Sequence, residues 1–239
     1  MKNVKTLLAS SAVAAAIALG SAPAMAELEA SATVSNIYLF RGIDQGGGSG
    51  AVSGDLVYSH ASGLYAGAWA SSASNFGNGG EIDTFLGWSG ALGDLGVDVG
   101  LLDYYYPGAQ GAADDWARGL TEAYVGLSFA GVELYYYDQI SGKSTALDDN
   151  TYTTVSYGIG KVSALVGFAD FEEASGQPWD NDYTHLDVTY AFNDNLSFTL
   201  SKVVDVDDEL NPNTAEGRSN GGTVEDDLQV VVSYSIPLN

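Results

Sequence analysis

The chain has 239 residues, with 8 Lys and Arg against 31 Asp and Glu, a formal net charge of −23, 46% apolar and 11% aromatic residues, and no cysteine. Such acidity argues against nucleic acid as a partner, because phosphate binding needs clustered Lys and Arg. The lack of cysteine removes disulfide frameworks, thiol redox centres and thiolate metal sites. Thirty glycines and 15 tyrosines beside five prolines fit a chain of many strands and turns.

Residues 1–26 read as an export signal. Lys2 and Lys5 form a positive start, Leu7 to Leu19 a small-apolar stretch, and Ala24-Met25-Ala26 a cleavage site ahead of Glu27. The apolar run is shorter than the ~20 residues of a bilayer-spanning helix. Removal of this segment leaves residues 27–239 as one domain with every acidic residue in it.

Beyond it, short segments alternate apolar and polar residues, as in Thr184-His185-Leu186-Asp187-Val188-Thr189-Tyr190. About twelve strands of roughly ten residues, the length of a tilted membrane strand, are predicted in chain order. They are Ala30 to Phe40, Gly50 to Ser59, Leu64 to Ser74, Glu81 to Gly90, Leu95 to Tyr105, Ala117 to Phe129, Gly131 to Ile140, Thr151 to Ile159, Lys161 to Phe171, Tyr183 to Phe192, Leu196 to Val204 and Val224 to Ile236.

Connections after even-numbered strands are short: Ala61-Ser62-Gly63, Ala91 to Asp94, Ala130, Gly160 and Asn193-Asp194-Asn195. Those after odd-numbered strands are mostly long and polar, including Gly108 to Trp116, Ser141 to Asn150, Glu172 to Asp182 and Asp205 to Thr223. A soluble sandwich has no reason to couple loop length to strand parity. An outer-membrane barrel does, with tight periplasmic turns on one rim and long external loops on the other. The expected fold is therefore an all-β, transmembrane, antiparallel up-and-down barrel whose surroundings are outer-membrane lipids and lipopolysaccharide.

The long segments are acidic, with Asp114-Asp115, Asp148-Asp149, Glu172-Glu173, Asp180 and Asp205, Asp207, Asp208, Glu209. They read as a solvated rim. The sharper alternative is that paired carboxylates bind Ca²⁺ or Mg²⁺ and bridge to outer-leaflet phosphates. No metal site and no cofactor follow from the sequence.

Strand parity assigns the faces. Leu186, Val188, Tyr190 and Phe192 point to lipid and His185, Asp187 and Thr189 to the lumen; Leu228, Val230, Val232, Tyr234 and Ile236 point out against Gln229, Val231, Ser233 and Ser235. Tyr104-Tyr105-Tyr106 at the long-loop rim, and Phe129, Phe192 and Tyr234 at the other, fit interfacial girdles.

Four stretches carry a family resemblance: Ser35-Asn36-Ile37-Tyr38-Leu39-Phe40-Arg41-Gly42-Ile43-Asp44-Gln45, His60 to Ser71, Glu81 to Trp88 and Asp103-Tyr104-Tyr105-Tyr106-Pro107-Gly108. From about Ala30 to Phe171 the chain resembles the TorF-type family of porin-like proteins, a conserved bacterial family of unknown function. The resemblance implies an outer-membrane barrel and a porin role, with no established substrate or catalytic residue.

Parity places Asp55, Asp83, Asp98, Glu122, Glu133 and Asp187 in the lumen together with His185, opposed by few basic side chains. Such a lumen lowers the energy of cations and raises that of anions. The expected function is a passive, cation-preferring channel for small hydrophilic solutes. Alternatively the carboxylates are locked in networks with Arg41, Arg118 or tyrosine hydroxyls and conduct nothing, leaving a structural or adhesive barrel. Arg41, where the first strand meets its loop, reads as a girdle cap or loop anchor.

A lipid hydrolase is the least favoured reading. His60 and Ser62, with Asn75 further on, weakly resemble the His-x-Ser and downstream Asn of outer membrane phospholipase A, but His60 and Ser62 fall in a short turn and Asn75 at the opposite rim. No P-loop, HExxH or GxSxG is present, and two histidines are too few for a multi-histidine metal centre.

Overall fold

The computed structural model describes residues 26–73, 80–107, 120–141, 150–171, 182–206 and 227–238. In chain order the strands are β1 (Glu27–Ser35), the two-residue β2 (Leu39–Phe40) and β3 (Ile43–Asp44), β4 (Ala51–Ser59), β5 (Leu64–Ser71), β6 (Glu81–Leu92), β7 (Leu95–Tyr105), β8 (Thr121–Phe129), β9 (Val132–Ser141), β10 (Thr151–Ile159), β11 (Val162–Asp170), β12 (Tyr183–Ala191), β13 (Leu196–Val206) and β14 (Gln229–Pro237). β1 and β4 to β14 form one closed antiparallel barrel, sealed where β1 pairs with β14, Thr33 opposite Ser235. β2 and β3 form a separate hairpin. Most of the expected export signal, Asn75, Arg118 and the acidic runs named above, except Asp205, lie outside the described residues.

Loop length follows strand parity. The turns between β4 and β5, β6 and β7, β8 and β9, β10 and β11, and β12 and β13 are all short. At Ala130-Gly131 both turn residues have positive φ, 51° and 85°, the geometry that matches the twist of a two-residue hairpin. At the β12–β13 turn the Asn193 side chain accepts from the backbone N–H groups of Asn195 (2.9 Å) and Leu196 (2.8 Å).

Faces also follow the alternation. On β12, His185 and Asp187 are buried while Leu186 and Val188 are exposed; on β13, Ser197, Thr199 and Ser201 are buried while Phe198 and Leu200 are exposed. Leu56, Leu86, Leu134, Val155 and Val230 continue the exposed apolar belt around the cylinder. Hydrocarbon tolerates strands only where the ladder is closed, because every backbone N–H and C=O must be satisfied internally. A closed ladder that is apolar outside and polar inside meets that condition, so the chain is a membrane-spanning barrel. Phe129, Phe192 and Tyr234 stand exposed near the short-turn rim, where an interfacial girdle belongs.

Two expectations change. The first strand does not reach Phe40: it ends at Ser35, and Asn36 clamps onto β14, its side chain donating to Val230 C=O (2.9 Å) and accepting from Val232 N–H (2.6 Å). The chain then turns into the bore, where Ile37 and Leu39 pack on Val231 and Ile43 on Tyr152, Tyr183 and Val203. Alternation alone cannot distinguish a strand that greases the outside from one that plugs the inside. Second, Tyr104 is not a girdle residue. It is almost fully buried in the bore, Tyr105 faces outward, and Tyr106 is half-buried.

Candidate functional site: the bore and its inner hairpin

The hairpin turn itself is Arg41-Gly42, with φ of 49° and 80° and Phe40 paired to Ile43. An arginine in the left-handed region costs about 1–2 kcal/mol, so the surroundings must hold it there. The Arg41 guanidinium donates to both Glu122 oxygens, at 3.0 and 2.6 Å, and lies 3.4 Å from the Tyr104 hydroxyl. It also sits over the rings of Tyr152 (4.3 Å), Phe40 (5.0 Å) and Tyr137 (5.2 Å). Tyr183 donates to the Arg41 carbonyl at 2.9 Å, and Tyr38 donates to Glu81 at 2.7 Å. Gly42 lies against the ring of His185, so closely that an added Cβ would fall 2.6 Å from the His185 Cβ.

Two wall residues that grip the hairpin sit beside irregularities in the ladder. Glu122 follows a register shift between Thr121 and Glu122, and His185 one between Thr184 and His185. Bulges re-aim side chains that a regular ladder would place elsewhere.

All seven lumen candidates lie on the inward face. Glu122 is taken by Arg41 and by the Tyr104 hydroxyl (2.9 Å). Asp98 accepts from Tyr65 (2.6 Å) and Tyr135 (3.2 Å), and Tyr65 is itself hydrogen-bonded to Tyr124. Asp55 accepts from Ser31. Glu133, half-buried, meets Ser156 at 3.4 Å. His185 links Tyr152 (2.7 Å, at Nε2) to Asp187 (3.1 Å, at Nδ1). Asp83 is fully buried and meets the neighbouring Glu81 carboxyl side chain to side chain. These groups do not form one cluster. Asp83, Glu122 and His185 lie in the half of the bore nearer the long connections, whereas Asp98 and Glu133 lie nearer the short turns, as the strand ends require.

Arg41 lies within the bore, paired with Glu122, and not at the girdle. Glu81, buried beside Asp83 on the same face of β6, was not among the sequence candidates, although its parity with Asp83 carries the signal. The aromatic lining was also missed. Phe171, Tyr183, His185, Tyr152, Tyr137 and Tyr124 follow one another around the wall with ring centroids 5.5–6.2 Å apart. Tyr135 and Tyr137, two apart on β9, signalled it, but tyrosine suits either face of a barrel.

The His60 and Ser62 side chains do meet, Nδ1 to Oγ at 2.8 Å. They belong to the β4–β5 turn, where Nδ1 also accepts from Ser62 N–H (3.2 Å) and the Ser62 carbonyl accepts from Trp88 (2.9 Å). The contact closes a turn. Tyr152, His185 and Asp187 have the order of hydroxyl, base and orienting acid, but Gly42 covers the imidazole. Among the described residues no three His, Asp or Glu side chains are placed to hold a metal ion.

No curated protein matches the chain by sequence. Among solved structures, a membrane-protein structure described as "Unveiling the Mechanism Behind the in-meso Crystallization of Membrane Proteins" is similar with a TM-score of 0.56 and 7% identity, covering 88% of this chain and 84% of that one. The KdgM porin in complex with disordered oligogalacturonate gives a TM-score of 0.49 and 6% identity, covering 89% and 99%. A mutant of Rh. blastica porin gives 0.46 and 14%, covering 78% and 55%. The first of these supports the barrel fold and nothing finer. The family model described as "Bacterial protein of unknown function (Gcw_chp)" matches residues 20–235, a description without the TorF designation. The chain belongs to that family of bacterial proteins of unknown function.

Proposed function

We propose that this protein is a passive, non-enzymatic outer-membrane channel for small hydrophilic solutes that prefers cations and is narrowed by the β2–β3 hairpin. The observation that carries the reading is the sign of the bore. Asp55, Asp98, Glu133 and Asp187 face inward below or beside the hairpin, while among the described residues Arg41 is the basic side chain that points into it, and it is already paired with Glu122. Fixed carboxylates in a low-dielectric passage attract cations and repel anions. The apolar belt and the alternation of short turns with long connections support the outer membrane as its location, with lipid and lipopolysaccharide around it. Divalent cations at the acidic long segments belong to the same proposal.

A second reading rests on the hairpin itself: with Ile37, Tyr38, Leu39 and Ile43 buried in the bore, the barrel is closed and serves structure or adhesion. Planar-bilayer recording separates the two. Discrete conductance steps support the channel, and their absence above background leaves the closed barrel. Fractionation with heat-modifiable gel mobility tests the location.

A further inference from the structure

We infer that Lys202 binds a phosphate group of the lipopolysaccharide in the outer leaflet, a contact that rests on the outer-membrane reading and needs no conduction. Lys202 lies on the lipid-facing side of β13: its neighbours Ser201 and Val203 are buried inward, and Lys202 itself is exposed. It stands in register with the exposed Leu186 of β12, and Leu200, Val204, Leu228 and Val230 extend the exposed apolar surface around it. A cation in such a position is costly unless it leaves the hydrocarbon or meets an anion. The two other described basic side chains are engaged, Arg41 with Glu122 in the bore and Lys161 with the Phe192 carbonyl at the short-turn rim (2.7 Å). Lys202 has no hydrogen bond or ion pair among the described residues.

Outward carboxylates fix the level at which its ammonium emerges. Asp103 on β7, Asp138 on β9 and Asp170 on β11 sit at the long-connection ends of their strands, and a residue adjacent to each, Tyr104, Gln139 and Ala169, is buried inward. Asp205 of β13 is exposed opposite Thr184. Carboxylates on this face belong among the headgroups. Lys202 pairs with Leu186, two ladder positions nearer the short turns than the pair of Thr184 and Asp205, or ~7 Å along the strand. A lysine covers that height by laying its stem along the apolar surface, and its ammonium then enters the headgroup level of the external leaflet. The anions at that level are the protein's own carboxylates and the phosphates of the lipid. Asp205, on the same strand, forms no ion pair with Lys202. A phosphate offers several charged acceptor oxygens to the three N–H donors of the ammonium, and the exposed leucines and valines below suit the acyl chains of the same lipid.

The probe is diphosphorylated lipid A, added to the full-length barrel in detergent and followed by native mass spectrometry, beside dephosphorylated lipid A with the same chains. Wild type is expected to retain the phosphorylated lipid in preference, and Lys202→Gln to weaken that retention about fivefold. Lys202→Arg, which keeps the charge, is expected to restore it. Gln and Arg both leave the inward face untouched, and heat-modifiable mobility verifies that each variant folds. Equal retention by wild type and Lys202→Gln, or equal retention of the two lipids, overturns the site. A dimer lost in Lys202→Gln while lipid retention is unchanged also overturns it, and assigns the lysine to a second copy of the chain. Fractionation separates this result from the location: a barrel found in the outer membrane without phosphate-dependent retention removes the site and keeps the location, and retention by a barrel found elsewhere removes lipopolysaccharide as the occupant along with the location.

Discussion

Arg41 and Glu122 are 81 positions apart in the chain and meet inside the bore through two hydrogen bonds of 3.0 and 2.6 Å. This fork ties the inner hairpin to the wall of β8. It also removes one negative and one positive charge together from the electrostatics of the passage.

Arg41→Ala is expected to release the hairpin and raise single-channel conductance severalfold, while lowering the unfolding free energy by about 3–5 kcal/mol because Glu122 is left buried without its partner. Arg41→Lys keeps the charge but not the fork and falls between. Bilayer recording and urea unfolding in micelles check both. Unchanged conductance in Arg41→Ala would remove the hairpin from any account of permeation.

Two glycines of similar φ separate backbone strain from crowding. Gly42 (φ 80°) has the His185 side chain where a Cβ would go, whereas Gly93 (φ 66°) has nothing within 4 Å. Gly93→Ala is expected to cost only the left-handed penalty of about 1–2 kcal/mol. Gly42→Ala adds a clash inside the bore and shifts the urea midpoint considerably further. Equal shifts would mean that the hairpin does not press on His185.

The outward face predicts a depth dependence. Leu200, midway along β13, and Val204, near its long-loop end, are both exposed. In lipid vesicles Leu200→Arg is expected to cost about 2–4 kcal/mol and Val204→Arg about 0–1. Equal costs in equilibrium unfolding would contradict the placement of the membrane around these strands.

Selectivity should track how firmly each carboxylate is held. Asp98 is bonded by two tyrosines, whereas Glu133 is half-buried with one long contact to Ser156. Reversal potentials in a salt gradient are expected to show a larger loss of cation preference for Glu133→Gln than for Asp98→Asn. An anion preference in the wild type would refute the charge argument outright.

The turn at His60 and Ser62 gives an expectation about chemistry. Ser62→Ala is expected to leave phospholipid hydrolysis where the wild type has it, at background, in a fluorescent-lipid assay. A wild-type activity abolished by this change would make the turn a nucleophilic site.

Much of this architecture was legible because a barrel wall is a local structure. The alternation of His185, Asp187 and Thr189 with Leu186, Val188 and Tyr190 names its own faces once the pleat is granted. The segments Ala61-Ser62-Gly63 and Ala130 showed tight turns from composition alone. Among inward groups, Asp83 and Glu122 followed from the same count of two, and Glu81 would have followed had the count been carried to the strand's first residue. Tyr104 was misassigned because a tyrosine beside a long loop suits a girdle and a bore equally well.

Sequence by itself determined which side chains face hydrocarbon and which face inward, since period-two alternation and turn chemistry are read over a few neighbouring residues. Only the tertiary structure decided what the inward groups do to one another. Ile37, Leu39 and Ile43 became a plug because Asn36 ends β1 on β14 and turns the chain inward. Arg41 pairs with Glu122 because closure of the sheet brings β8 across the bore to meet it. Pairings of that kind depend on the curvature of the whole cylinder, which no local pattern encodes.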